Sequence, residues 1–253
     1  MPSISAAKRL RALHRAKGRR EHGMTLVEGP NVVRDALDAG ATLHEALYTE
    51  TAAADPAVGS LIDALRERGV DVELVSDAEL AEFADTVTPQ GLIVVAGIPR
   101  RLLGEVSSPR LVVLDAVQDP GNVGTLIRAA EALGAGAVVL LPGTADAWNP
   151  KVVRAAAGAS FRIPIVESTV AELSDWCRRR SVPLLAAAVG GEPVPRSAGS
   201  RDAALVLGNE AAGVSDAVRA VAEEVVGVPQ RGRTDSLNVA MAGAILMDRL
   251  FGG

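Results

Sequence analysis

The sequence predicts an α/β protein: a small N-terminal α/β unit, then a larger unit on a parallel sheet covered by helices on both faces. Three observations carry this. Short runs of Val, Leu, Ile and Ala alternate with helical patterns along most of the 253 residues. Hydrophobic residues make up 48% of the chain and aromatics only 2%, so the core must be aliphatic, as suits buried parallel strands. Residues 101–109, with Pro99 and Pro109 as punctuation, read as a linker between units at 1–100 and 110–253.

In the first unit, residues 3 to about 17 read as a basic helix with apolar Ile4, Leu10 and Leu13. Met24–Glu28 is a short strand. Gly29-Pro30-Asn31 opens a helix with Asn31 as candidate N-cap, and Val32, Val33, Ala36 and Leu37 recur at helical spacing. Leu43–Tyr48 is a strand, Pro56–Gly69 a helix stopped by its glycine, and Val70–Val75 a strand. Asp77 is the expected cap of a helix over Ala78–Phe83. Thr88–Gly91 turns into the strand Leu92–Ile98.

The second unit starts with the strand Leu111–Leu114, ending at Asp115. A loop over Val117–Asn122 leads to the helix Gly124–Leu133 and the strand Ala137–Leu141. Val152–Ala159 reads as a helix, Ile163–Val166 as a strand and Val170–Arg180 as a helix. Leu184–Val189 and Ala203–Leu207 are buried strands. Ser215–Val221, Val225–Val228 and Leu237–Phe251 read as helix, strand and a long apolar helix.

Composition narrows the function. Cys177 is the only cysteine, so an internal disulfide and a Cys-rich metal site are excluded. His14, His22 and His44 suggest no metal cluster. The first 24 residues lack the apolar core of a secretory signal, and apolar runs such as Leu92–Ile98 are too short to span a bilayer. A cytoplasmic setting is expected. The net charge of −5 hides a local excess of cations, Lys8, Arg9, Arg11, Arg15, Lys17, Arg19 and Arg20, with no acid among them. Such a run serves either as a solvated helix face or as a phosphate-binding arm.

Three polar segments follow buried strands, where open parallel sheets build their sites. They are Asp115–Arg128, Leu207–Gly213 and Val228–Ala240. Taken singly, Asn122, Ser236 and Asn238 suit helix caps, Glu210 a first-turn acid, and Arg128 a snorkelling or ion-paired residue. Gly208 would let a ligand approach the backbone closely. The Gly-x-x-x-x-Gly-Lys phosphate loop, the dinucleotide fingerprint and the Gly-x-Ser-x-Gly elbow are all missing from the sequence.

Together the three segments resemble the signature motifs of the SpoU (TrmH-like) RNA methyltransferases, in family order. The N-terminal unit resembles the family's ribosomal-protein-like substrate-binding domain through Val27–Val33 and Thr88–Gly91. The resemblance implies a SPOUT catalytic domain with a trefoil knot, and a homodimer whose active site draws on both chains. It implies S-adenosylmethionine as cofactor, and 2′-O-methylation of a ribose in RNA, with ribosomal RNA ahead of transfer RNA. It assigns catalysis to Arg128, Asn122, Glu210, Ser236 and Asn238, and cofactor binding to Gly208, Val228 and Leu237. The basic arm then becomes an RNA contact. One departure from the family pattern is Ala240, where many members carry Ser. Family proposals make the residue matching Arg128 the general base. Simple chemistry favours an orienting and charge-stabilising role, because arginine stays protonated. The competing readings are a non-catalytic RNA-binding protein on this scaffold and a nucleotide-dependent enzyme, which would need the missing phosphate loop.

Overall fold

The computed structural model describes residues 3–195, 200–232 and 236–252. Residues 233–235 of the third polar segment lie outside the described residues. The chain forms two compact units. The first takes the chain up to Pro99 together with Asp146–Arg162. The second takes Arg100–Ala145 and the chain from Ile163 onward.

The first unit holds a four-stranded sheet of β1 (Met24–Glu28), β2 (Leu43–Tyr48), β3 (Asp71–Leu74) and β4 (Leu92–Gly97), in the order β1-β4-β2-β3. β4 runs antiparallel to both neighbours, and β2 pairs with β3 in parallel. Leu10, Leu13, Leu26, Leu47, Phe83 and Ile93 form part of its core. The single basic helix expected at residues 3–17 is two, Ile4–Leu13 and Ala16–His22. Gly18 explains the break. A Cβ there would sit 2.1 Å from the Ala12 carbonyl oxygen, so the second helix folds back tightly on the first. Ser76, not Asp77, caps the helix Asp77–Ala81, exchanging hydrogen bonds with Glu79 in a capping box. Gly29, at φ 95°, takes the place expected of Asn31 at the start of the helix Pro30–Asp38.

The segment Asp146–Arg162, grouped by sequence texture with the second half, belongs to the first unit. Asp146 pairs with the buried Arg19 at 2.6 Å, and Thr25 Oγ1 donates to the Trp148 carbonyl at 2.6 Å. Arg154 pairs with Asp85 at 2.9 Å. Its expected single helix is also two, Pro150–Ala155 and Ala159–Arg162. They are separated where Ala157 and Gly158 both take positive φ.

The second unit is a six-stranded sheet: β5 (Arg110–Asp115), β6 (Ala137–Leu140), β7 (Ile165–Glu167), β8 (Leu184–Pro193), β9 (Ala203–Gly208) and β10 (Glu224–Gly227). The order is β10-β8-β9-β5-β6-β7, and every adjacent pair is parallel. From β5 the chain builds β6 and β7 on one side, then crosses to build β8, β9 and β10 on the other. The reversal lies between β5 and β9, which is where such sheets open a crevice at their carboxyl ends. Asp115 and Gly208 are register partners at that edge. Two of the three polar segments therefore leave the sheet side by side.

The helix Pro120–Ala132 starts earlier than the spacing predicts, because Asp119 caps it: Asp119 Oδ1 accepts from the Asn122 amide at 2.8 Å. The last helix, Val239–Phe251, packs against it and against β9. Gly243 sets how closely they meet. A Cβ there would lie 2.6 Å from Leu126 Cδ2 and 2.7 Å from Leu207 Cδ1. A branched side chain at this position must push the helix away from the strand that carries Gly208. Gly243→Val is expected to lower stability by about 1–3 kcal/mol. Thermal unfolding measures this, and an unchanged midpoint would contradict the close packing.

Candidate active site

The third polar segment meets the other two through side chains. Asn238 caps the last helix, its Oδ1 accepting from the amides of Ala240 at 2.9 Å and Met241 at 3.3 Å. Its Nδ2 donates to Asn122 Oδ1 at 3.0 Å, and Asn122 Nδ2 donates to Glu210 Oε1 at 2.9 Å. The Gln118 and Asp119 amides point at the same carboxylate, at 3.5 Å each. Residues 88 and 116 positions apart in sequence are thus joined in one polarised chain ending on a carboxylate. Each asparagine amide keeps one N–H beyond those bonds.

Burial alone would push the Glu210 pKa up. The hydrogen bonds from Asn122 and the surrounding backbone amides outweigh it and hold the carboxyl below its ordinary value. Glu210 is therefore an ionised anchor with its lone pairs in use, which makes it a weak proton acceptor. Its place is a turn rather than the first turn of a helix, so its partners are these groups and not a helix dipole.

Beside this chain lies a cavity of about 560 Å3, walled by residues 207–214, by Gly227 and Val228 at the end of β10, by residues 236–239 and by Ala187–Val189. The last group arises from a local departure in the sheet. β10 pairs with Leu185 and Ala186 and then jumps to Glu192 and Pro193, so the intervening residues leave the ladder. The volume falls in the range of roughly 300–1,000 Å3 typical of small-molecule sites. Its wall combines apolar side chains with backbone and amide groups.

Gly208, Val228, Leu237, Glu210, Ser236 and Asn238 all line this cavity, and Asn122 stands behind Glu210 and Asn238. Arg128 does not line it. Arg128 lies six residues on from Asn122, about 9 Å along the helix and roughly 240° around it. It is exposed and has no hydrogen-bond or ion-pair partner among the described residues.

Gly208 also has a structural reason. A Cβ there would sit 2.2 Å from Gly213 C and from Val214 N, so its own loop needs the glycine to approach so closely. Sequence reasoning passed over Asp115 and Asn209. Buried Asp115 accepts from the Ser215 amide at 2.6 Å. Asn209 Nδ2 donates to the Ala116 carbonyl at 2.9 Å, and its Oδ1 accepts from the amides of Ala211 and Ala212 at 3.0 Å. This ties the second segment to the first, where Ala116 has φ 55°. An acid closing an apolar strand was the available signal for Asp115.

The basic arm also needs correction. Arg19 is buried, bonded to Asp146 and to the Leu13 carbonyl, so it is a structural residue rather than an RNA contact. Arg9 pairs with Glu45, Arg11 with Glu82 at 2.6 Å, and Lys17 with Glu21 at 3.7 Å. Lys8, Arg15 and Arg20 remain exposed, without a carboxylate partner among the described residues. Among those residues there is also no group of three His, Cys, Asp or Glu placed to hold a metal ion, and no helix long and apolar enough to cross a membrane.

Fold and site together define a parallel α/β domain with a pocket at the carboxyl ends of its strands, walled by the second and third polar segments and backed by Asn122 of the first. Residues 109–248 match the SpoU rRNA methylase family, and residues 5–94 match an MRM3-like substrate-binding domain. A similar relative is the 23S rRNA (guanosine(2553)-2′-O)-methyltransferase RlmP of Bacillus subtilis, 35% identical over 95% of this chain and 93% of that protein. An AdoMet-bound rRNA methyltransferase from Sinorhizobium meliloti superposes with TM-score 0.85 at 31% identity, over 98% of this chain and 95% of the other. A TrmH-family protein from Porphyromonas gingivalis, described as a putative RNA methyltransferase, gives 0.83 at 30%, over 100% and 99%. The chain belongs to the SpoU rRNA methylase family.

The depressed Glu210 pKa has a testable sign. A carboxyl whose pKa is lower folded than unfolded adds stability above the unfolded value, and that addition fades as pH falls through the folded value. Glu210→Gln is expected to be less stable than the parent at pH 7, with the gap closing towards pH 3. Denaturant unfolding at both pH values measures it, and a gap independent of pH would contradict the ionised anchor.

Proposed function

We propose that this protein methylates a ribose 2′-hydroxyl in ribosomal RNA, using S-adenosylmethionine held in the cavity beside Glu210. The observation that carries the reading is the Asn238–Asn122–Glu210 chain along the wall of a cavity of fitting size. The residues present suit the cofactor: Gly208, Val228 and Leu237 offer backbone groups and apolar surface, and Glu210 offers negative charge towards a cation. When bound, S-adenosylmethionine supplies a methyl group already activated by its sulfonium.

The chain's own residues then have to orient the nucleotide and manage one proton. Alignment alone contributes roughly 7–11 kcal/mol to such displacements. The spare N–H groups of Asn122 and Asn238 donate to the sugar or its phosphate, and the Ser236 hydroxyl adds a further contact. Glu210 keeps both asparagines in register and leaves the hydroxyl proton to another acceptor, such as a phosphate of the RNA.

Arg128, exposed and unpaired, fits this scheme in a homodimer, where the partner's Arg128 reaches the pocket. There it orients a phosphate and stabilises charge developing on the attacking oxygen. The threaded trefoil expected from the family resemblance, and a cytoplasmic setting where ribosomal RNA is found, belong to the same proposal. The first unit serves as the RNA-binding domain, with Lys8, Arg15 and Arg20 as phosphate contacts.

Arg128→Ala is expected to abolish methylation while leaving cofactor affinity within about twofold, since the residue lies outside the cavity wall. Asn122→Ala is also expected to be inactive. Mixing the two inactive chains tests the dimer: dissociated and reassociated heterodimers should regain activity at one pocket. No recovery would contradict a site shared between chains. Mapping 2′-O-methyl positions in RNA from cells with and without the protein checks the substrate, and a site gained only in transfer RNA would overturn the ribosomal assignment.

The triple change of Lys8, Arg15 and Arg20 to Ala should weaken RNA binding and reduce its salt slope by about 0.7–0.9 per lost phosphate contact. An unchanged slope would make the arm a solvated surface.

A further inference from the structure

Among the described residues, only two charged side chains line the cavity, Glu210 and Arg219. Glu210 is absorbed by the asparagine chain. Arg219 has no role in the scheme so far. It ends the short helix Asp216–Arg219, and its guanidinium folds back on the loop after β9. Arg219 Nε donates to the Val214 carbonyl at 3.0 Å, and Nη2 reaches the Ala212 carbonyl at 3.5 Å. Its nearest carboxylate, that of the fully exposed Asp216, stands 4.0 Å away. A pair so long and so wet contributes little.

Arg219 is thus a cation held by neutral carbonyls at the cavity wall, with no close counterion among the described residues. A guanidinium carries five N–H donors, and the loop uses two. The remaining donors call for an anion. Because the side chain is already anchored, little conformational freedom is lost when one arrives.

Taking the cavity to hold S-adenosylmethionine, as proposed above, we propose that Arg219 binds the carboxylate of the cofactor's methionine moiety. That cofactor has one anionic group and two cationic ones, the sulfonium and the ammonium. The two charged side chains of the wall match this pattern: Arg219 takes the carboxylate, and Glu210 favours the cations. The same contact makes the pocket selective for the intact amino-acid tail.

The test is titration calorimetry with S-adenosylmethionine and with its decarboxylated analogue, which keeps both cations and loses only the carboxylate. The parent protein should prefer S-adenosylmethionine by about tenfold, the size of one solvent-weakened charge-assisted contact. Arg219→Ala should lose that preference. Its affinity for S-adenosylmethionine should fall about tenfold, while that for the analogue stays within about twofold. Arg219→Gln, which keeps a donor for the loop and removes the charge, should behave the same way and guards against misfolding of the alanine variant. Equal affinity of the parent for both ligands would overturn the proposal. So would parallel weakening of both in the variants, which would make Arg219 only a support for its loop. A loss confined to RNA binding would also overturn it, assigning Arg219 to a phosphate. Failure of the parent to bind either ligand would instead remove the cofactor assignment, and the Arg219 proposal with it.

Discussion

The second unit's chemistry depends on one constraint: a carboxylate, two asparagines and two helix starts must close a hydrogen-bond chain. Asn238 donates to Asn122, and Asn122 donates to Glu210. Each link comes from a different segment beyond the carboxyl end of a strand. Glu210 follows β9, Asn122 follows β5, and Asn238 precedes the last helix. The chain is directional, because a carboxylate only accepts and both amides pass a donor along. Ionised Glu210 therefore sets the orientation of both asparagines, and with it the direction of the N–H groups left for a nucleotide.

The surrounding structure serves that closure. Glycine at 208 lets the loop after β9 fold onto its own strand end. Asn209 fastens this loop to Ala116, and Asp115 fastens the Ser215 amide. Gly243 lets the last helix lie close to Leu126 and Leu207, which brings Asn238 within reach of Asn122. The departure of residues 187–191 from the ladder gives the cavity its remaining wall.

Much of this was legible in the sequence, because apolar strands and the polar segments behind them leave strong local patterns. All ten strands of the described residues have a counterpart in the sequence pattern, most within a few residues. The three polar segments are the ones that the Asn238–Asn122–Glu210 hydrogen bonds join. What the sequence concealed was set by contacts between distant residues. The break between the first two helices comes from Gly18 against Ala12, and the burial of Arg19 from Asp146. A charge run carries no sign of which cations turn inward. The membership of Asp146–Arg162 in the first unit had no local signal either. The cap at Asp119 was missed because Pro120 and Gly121 read as loop, although proline suits the first helical position. Arg219, at the end of a four-residue helix, had no pattern to mark it.

Arg128 is exposed and stands apart from the cavity wall. Within one chain the cavity has its anchor and its amide donors, and the cation in its wall is Arg219 rather than Arg128. The cavity itself remains the central claim, and a crystal structure with S-adenosylhomocysteine tests it most directly. The ligand is expected between residues 207–214, Val228 and Leu237, with its sulfur facing the wall formed by Glu210 and Asn238. Ligand density on another surface, with this cavity left to solvent, would contradict it.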